Sequence, residues 1–585
     1  MKPTRAIVDG PLAGAAAVLI SRLITLPKTF WEGDELLFAG AVQRFDPWSS
    51  RPHPPGYPLY VFLGKCFALF TDPFHALVAL SVLASVVGFI ALVFAFHNVL
   101  LDRTLALCGA LAFYFSASML VFGTLPLSDG PAVMFVALAL WAATGFPERA
   151  SVARAVAFGA AVSAAIGTRP QLAVSVLPLF LVMLFWTRKL RPIAAGLASF
   201  TLLSVAWFVP LVLAAGGWGR FVEWETRQAG YVAMHDAAMS RGASTTAEML
   251  SRFVAHPWGP KWIALPVLLL ACIGAVVLLR KPRPALVPIA LFSIVQFAFA
   301  VTVMDPADGP RYSLPHMIGV ALLAGAGLAL VRRISAVPWV LVSAFAAASM
   351  VYTWPLIGVR RVQPSPPAAA AAWADAHLPP DTVIGYDLSL HPHAEHLLSR
   401  FRSMPADVAL GAFYDRPRVP VVLFGDGLAR SAGAKVFAWP ASDVYGKLTR
   451  NHYRVVTLDP LLPAERFLPL RGVDHLERTA ESGEWRWLAR DAVLRLPPQH
   501  GPSVTLTFQL SPDAPFDTNN VHLTVNGKAA GEVIATHGPS PVKIAVPDGP
   551  AEIAIHSDQA FAPASILHNQ DPRVLAVELI DLQSQ

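Results

Sequence analysis

The sequence predicts a polytopic α-helical membrane protein of about eleven spans, followed by an α/β domain and a β-sandwich. Three observations predict it. The composition is 55% hydrophobic and 14% charged, with mean hydropathy +0.51, which excludes an ordinary soluble enzyme. Apolar runs of about 18 residues, the length that crosses hydrocarbon as a helix, recur over roughly the first 360 positions. From about Gly358 the apolar runs shorten to strand length and charges become frequent.

The apolar runs lie near 9–27, 74–98, 104–123, 130–146, 153–168, 171–187, 193–216, 262–280, 284–303, 314–331 and 337–357. Segment 57–71 is short and carries Lys65, so it reads as a helix lying in the interface. The basic N-terminus and first run read as an uncleaved signal-anchor. Arg149 with Arg154, Arg188 to Arg191, Arg280 to Arg283, and Arg332 with Arg333 form basic connections. Basic connections stay in the cytoplasm. The first loop (28–73), Ser128–Asp129, Thr168–Arg169, loop 217–261 and loop 304–313 then face outside, as does everything after 357.

The soluble part divides in two. Residues 358–490 alternate helix signals (Ala368–His377, His393–Phe401) with strand signals (Thr382–Tyr386, Val419–Phe424, Ala434–Ala438, Tyr453–Leu458), an α/β domain. Residues 491–585 give short strands only: Ser503–Leu510, Val521–Val525, Glu532–Ala535, Pro541–Val546, Glu552–Ser557 and Val574–Leu582. Asn526–Gly527 between two of them is a hairpin signal, and the tail reads as a β-sandwich.

The net charge of +6 is no nucleic-acid signature, because the basic residues sit in short clusters between apolar runs. Cys66, Cys108 and Cys272 all lie in apolar stretches, so no disulfide framework is implied. No dinucleotide-binding glycine turn, P-loop or metal-type Cys/His spacing occurs.

The chemistry concentrates outside. The loop Trp31–Tyr60 holds Glu32, Asp34, Glu35, Asp46 and His53, then the rigid run Pro52, Pro54, Pro55, Gly56, Tyr57, Pro58. Asp34 and Glu35 open an amphipathic stretch (Leu36, Leu37, Ala41, Phe45). They therefore stand at a helix start, where free N–H groups and the dipole favour an anion. Trp31, Phe45, Trp48, Tyr57 and Tyr60 suit a loop on the membrane–water boundary. Three further clusters share that side: Asp129 in LPLSDGP, Arg169 in GTRPQ, and Arg311–Tyr312 in DGPRYSLP. Each has a plainer reading. The acidic loop is solvated, Asp129 caps the following helix, Arg169 anchors at the interface, and Arg311 pairs with Asp305 or Asp308. Glu223, Glu225, His235, Asp236 and His256 of loop 217–261 carry no assigned role; Glu223 and Glu225 read as facing water.

GDELLFA followed by HPPGYPLY, leading into an apolar run, resembles the polytopic glycosyltransferases of the GT-C superfamily. The plan is similar to protein O-mannosyltransferases and lipid A aminoarabinose transferases. The resemblance implies an inverting transfer of a sugar from a polyprenyl-phosphate donor to a glycan, lipid or protein acceptor. The site would lie on the outer face of a bacterial cytoplasmic membrane. It implies Asp34, with Glu35 as the alternative, as base toward the acceptor hydroxyl. It implies Asp129 as the second acidic position and Arg311 as the donor-phosphate contact. Tyr312, Arg169 and His53 are the further candidates for the phosphate, since Arg binds phosphate in a two-pronged way. Some members hold a divalent cation, Mg or Mn, between two such acids; Asp34 and Asp129, with Glu32, are the candidates here. The tail resembles, loosely, the jelly-roll, carbohydrate-binding-like modules of envelope sugar enzymes. The competing readings are a lipid-linked-sugar flippase and a non-catalytic glycan assembly protein. Against the flippase, no inverted repeat joins the halves and no charge lies deep inside a span.

Overall fold

The computed structural model describes all residues except 1–3, 236–245, 415, 417, 428–432, 440–442, 450–454, 462–465, 480–482, 567–570, 572 and 585. The chain divides into two compact units, Met1–Pro364 with Ala441–Asn451, and Ser365–Pro440 with His452–Gln585.

The first unit is helical. Among the described residues five helices are long and apolar enough to cross a membrane, or six if a pair bent by 59° at Ser313–His316 is one span. Six further apolar helices run 10–17 residues. Not every apolar run of the sequence is a single helix, because some runs continue through helix breaks. Run 104–123 is two helices, Arg103–Tyr114 and Ala117–Phe122, with Ser116 capping the second. The break is held from the side by Arg22. Fully buried, it donates to the Tyr114 carbonyl (2.8 Å) and to the hydroxyls of Ser85 and Ser21 (both 3.2 Å). A cation suits a free carbonyl at a helix C-terminus. Helices Lys261–Arg280 and Met317–Gly327 cross backbone to backbone. A Cβ on Gly274 would stand 1.8 Å from the Leu323 carbonyl oxygen, so only glycine permits that approach. Segment 57–71 forms the eleven-residue helix Pro58–Ala68, about 16 Å long at 1.5 Å per residue and too short to cross hydrocarbon.

In the second unit, strands β1 (Val383–Tyr386), β2 (Arg402–Pro405), β3 (Val421–Asp426), β4 (Lys435–Ala438) and β5 (Val455–Pro460) form one sheet in the order β2-β1-β3-β5-β4. β1 is parallel to β2 and β3, and the remaining pairs are antiparallel. Helices Pro366–His377 and His391–Leu397 bury Ala370, Ala374 and Ala394 against Ile384, Val422 and Phe424 on one face. Helix Ala406–Phe413 covers Val383, Val421 and Leu423 on the other. Burial on both faces explains why β3 reads as an unbroken apolar run.

The second sheet contains β6 (Leu468–Thr479), β7 (Gly483–Leu496), β8 (Ser503–Gln509), β9 (Asn519–Val525), β10 (Lys528–Ala535), β11 (Ser540–Ala545), β12 (Ala551–Ser557) and β13 (Val577–Ser584). Its order is β10-β9-β12-β7-β13-β8-β11, with β6 on β7. It curls around a core that includes Leu494, Leu506, Phe508, Leu523 and Ile553. Its two ends meet, since a Cβ on Gly531 would stand 3.1 Å from Ile544. Asn526 and Gly527, both at positive φ (49° and 77°), make the expected tight hairpin between β9 and β10. One expectation moves: β6 and β7 belong to this sheet, so it begins near 468 and not at 491.

Candidate active site at the first loop

Helix Gly33–Gln43 begins after Glu32 and carries Asp34 and Glu35 in its first turn. Glu35 shares a stripe with Phe38, Ala39 and Val42, all buried. Its Oε2 accepts the backbone N–H of Trp31 at 2.6 Å. Burial pushes its carboxyl up to about 8, against the pull of that N–H, and Glu32 adds to the rise. Glu35, the alternative to Asp34 in the sequence, thus closes its own helix and is fully enclosed. Glu32 is partly buried, with Arg360 at 3.7 Å. Burial pushes its carboxyl to about 7 against the opposing field of Arg360.

Asp34 differs. About a third of its side chain (37%) meets solvent, and Oδ2 accepts from Arg311 Nη1 at 3.2 Å. Burial alone would raise its carboxyl. His53, Arg311 and Arg169 outweigh that and hold it below the usual carboxylate range. His53 packs against the rings of Phe38 (5.6 Å) and Tyr57 (5.1 Å). Burial lowers its ring, Asp34 opposes this, and the two arginines add to the fall. The Pro-rich turn ends in Gly56 and Tyr57, both at positive φ, and the Tyr57 hydroxyl accepts from Gln171 Nε2 at 3.2 Å. That bond ties the first loop to the chain beside Arg169.

Asp129 does not cap its helix. It is the first residue of Asp129–Thr144 after Ser128. Its Oδ1 pairs with Arg169 Nη1, and its Oδ2 accepts from Arg311 Nε at 3.0 Å. Arg169 ends helix Val152–Thr168, and Pro170 keeps it extended. Arg311 lies on the short helix Gly309–Tyr312. Tyr312 follows, with the Arg169 guanidinium 5.6 Å and the Arg311 guanidinium 6.0 Å from its ring. The ion pairs of Arg311 therefore run to Asp34 and Asp129 on distant elements, which replaces the plainer reading of a pair within its own loop. Four clusters far apart in sequence close into one: Asp34, Asp129, Arg169 and Arg311, with His53 and Tyr312 beside them.

A divalent cation does not fit here. The guanidinium of Arg311 lies between Asp34 and Asp129, and Glu32 faces Arg360. Among the described residues no group of three or more His, Cys, Asp or Glu is arranged to hold a metal.

In loop 217–261, Glu223 pairs with Arg227 at 2.5 Å on the exposed face of helix Trp218–His235. Glu225 is half-buried, and burial pushes it up to about 7. His256 Nε2 lies 3.1 Å from the Ser251 hydroxyl. Asp236 and the side chain of His235 lie outside the described residues. Two neighbours of the site carry no signal in the sequence pattern. Gln171 lies two residues after Arg169, beyond Pro170, as one polar residue at a helix break. Arg360, stacked 4.4 Å from the Trp31 ring, lies just beyond the last apolar run, where a basic residue passes for a flank.

The sequence pattern of the dolichyl-phosphate-mannose-protein mannosyltransferase family matches residues 52–213, which takes in His53, Asp129 and Arg169. No curated protein matches. Among solved structures the chain is similar to ArnT from Cupriavidus metallidurans in the apo state. Identity is 16% over 77% of this chain and 98% of that one, with a TM-score of 0.50. It is also similar to the arabinofuranosyltransferase AftD from Mycobacteria (11% identity, 98% of this chain, 58% of that one, TM-score 0.44). A third is the arabinosyltransferase EmbB from Mycobacterium smegmatis (12% identity, 100% of this chain, 66% of that one, TM-score 0.39). The chain resembles the membrane glycosyltransferases of the GT-C superfamily.

Proposed function

We propose that this chain, built on a GT-C plan, is an inverting glycosyltransferase that uses a polyprenyl-phosphate sugar on the outer face of a bacterial cytoplasmic membrane. The observation that carries the reading is the partly exposed Asp34 carboxylate beside two fixed guanidiniums. The name of the matching family, with its dolichyl-phosphate-mannose donor, supports a polyprenyl-phosphate donor here.

In this reading the donor phosphate lies against Arg311 and Arg169, with Tyr312 beside it. An acceptor hydroxyl attacks the anomeric carbon from the opposite side. The new C–O bond forms as the bond to the phosphate oxygen breaks, and the configuration inverts. The hydroxyl proton passes to Asp34. The polyprenyl phosphate leaves with the electron pair, its charge matched by the arginines, so no acid is needed on that side. No step requires a metal. Glu35 takes no part. The second unit lies outside the cell in this reading. The order of its curled eight-stranded sheet supports a jelly-roll-like, carbohydrate-binding reading.

Two measurements test the function. Envelope glycans and lipids from cells with and without the protein, compared by mass spectrometry, should differ by one sugar. Asp34→Asn keeps the shape and removes the base, so transfer should fall about 10²-fold or more while the protein still inserts. Near-normal turnover in that variant ends the assignment.

A further inference from the structure

The cluster of Asp34, Asp129, Arg169 and Arg311 is electrically balanced. An incoming phosphate meets no net positive charge there and must compete for the arginines' N–H groups. The two carboxylates are not equal competitors. Asp129 is 3% exposed, and each of its oxygens accepts from a different arginine. Asp34 is 37% exposed and holds Arg311 through a single oxygen at 3.2 Å. Arg311 Nη2 and the Nε and Nη2 of Arg169 make no hydrogen bond among the described residues. Both guanidiniums also flank the ring of Tyr312. The two arginines are therefore fixed about one buried carboxylate, with donors to spare, while the other carboxylate rests loosely on the edge.

We propose that Asp129 is a positioning residue that holds Arg169 and Arg311 as a fork for the donor phosphate, and that Asp34 is a competitor which the phosphate displaces from Arg311. The proposal rests on the polyprenyl-phosphate reading above and gives it an order. Asp34 is released toward the acceptor hydroxyl only once the donor is in place. Asp129 never leaves the arginines, and it acts neither as a base nor as a metal ligand.

The two carboxylates then have opposite effects on phosphate binding. Simple electrostatics gives them the same effect, since removing either negative charge favours an anion. The test uses the full chain in lipid nanodiscs and undecaprenyl methyl phosphate, a diester with one fixed charge. Equilibrium binding is measured without any acceptor. Asp34→Asn should bind the diester about 3- to 10-fold tighter, the scale of one lost exposed ion pair. Asp129→Asn should bind it about 10-fold weaker or more, the scale of a charged hydrogen bond. Tighter binding by both variants overturns the positioning role, and weaker binding by both overturns the competition; either result leaves the donor reading standing. No binding by the unaltered protein overturns the donor reading as well. If Asp129→Asn does not fold, Asp129→Glu keeps the charge and shifts the carboxylate by one methylene. A folded Asp129→Glu with unchanged affinity overturns the fork, and the sign for Asp34→Asn still decides the competition.

Discussion

Arg311→Lys separates a two-pronged contact from a point charge. Arg311 gives Nε to Asp129 at 3.0 Å and Nη1 to Asp34 at 3.2 Å, and still has Nη2 for the donor. Lysine keeps the charge but has one nitrogen, so it cannot hold Asp129 along one edge and present a second nitrogen to a phosphate. One charged hydrogen bond to the donor is lost, about 1.5–3 kcal/mol. At about 1.4 kcal/mol per tenfold, the KM for the polyprenyl-phosphate sugar should rise roughly 10- to 100-fold. The fall in kcat at saturating donor should be smaller, because Asp34 and Arg169 remain. Folding should hold, since Asp129 keeps Arg169. The assay is initial-rate transfer at varied donor, with thermal unfolding run in parallel. An unchanged donor KM in a folded Arg311→Lys enzyme would refute the phosphate contact. A fall confined to kcat would place Arg311 at the reacting carbon instead.

Glu35 makes stability depend on pH. Its carboxyl lies near 8 when folded against an ordinary 4.5, so the folded chain keeps a proton there that the unfolded chain releases. Stability should therefore fall as pH rises from about 4.5 to about 8 and level off above. Glu35→Gln keeps an acceptor for the Trp31 N–H and should flatten that fall in melting temperature. Glu32, near 7, leaves a residual slope of the same sign, and an unaltered slope in the variant would exclude Glu35 as its source. Topology is checked by cysteine labelling in a background without Cys66, Cys108 and Cys272. Ser49 and Ser335 are both exposed. Ser49→Cys should react with an impermeant reagent in cells whose outer membrane, if present, is made permeable, and Ser335→Cys should not. The reverse pattern would put the site in the cytoplasm.

The helix start at Asp34 is legible in the sequence because a carboxylate pair directly before an amphipathic stretch marks the first turn of a helix. The difference between Asp34 and Glu35 lies in the same stretch. Glu35, Phe38, Ala39 and Val42 follow the i, i+3, i+4, i+7 spacing of an inward face, and all four are buried. Asp34 lies about 100° round the helix and keeps its contact with water. Other features have no local signal. The break after Tyr114 has no proline or glycine beside it; it is held by Arg22, 92 residues earlier in the chain. β6 carries three register shifts against β7, and these interrupt the alternation that would mark it as part of the second sheet. The pairing of the cluster is the extreme case. Asp129 meets Arg169 across 40 residues and Arg311 across 182, and Asp34 meets Arg311 across 277. The positive-inside rule places these four groups on one side of the membrane, which is as far as hydropathy and loop charge reach. Which carboxylate takes which arginine depends on where helix ends fall to within about an ångström or two, because a hydrogen bond weakens over that distance. That same detail decides whether Asp129 caps a helix or aims two guanidiniums, so the role of Asp129 is set by the folded chain and not by the residues next to it.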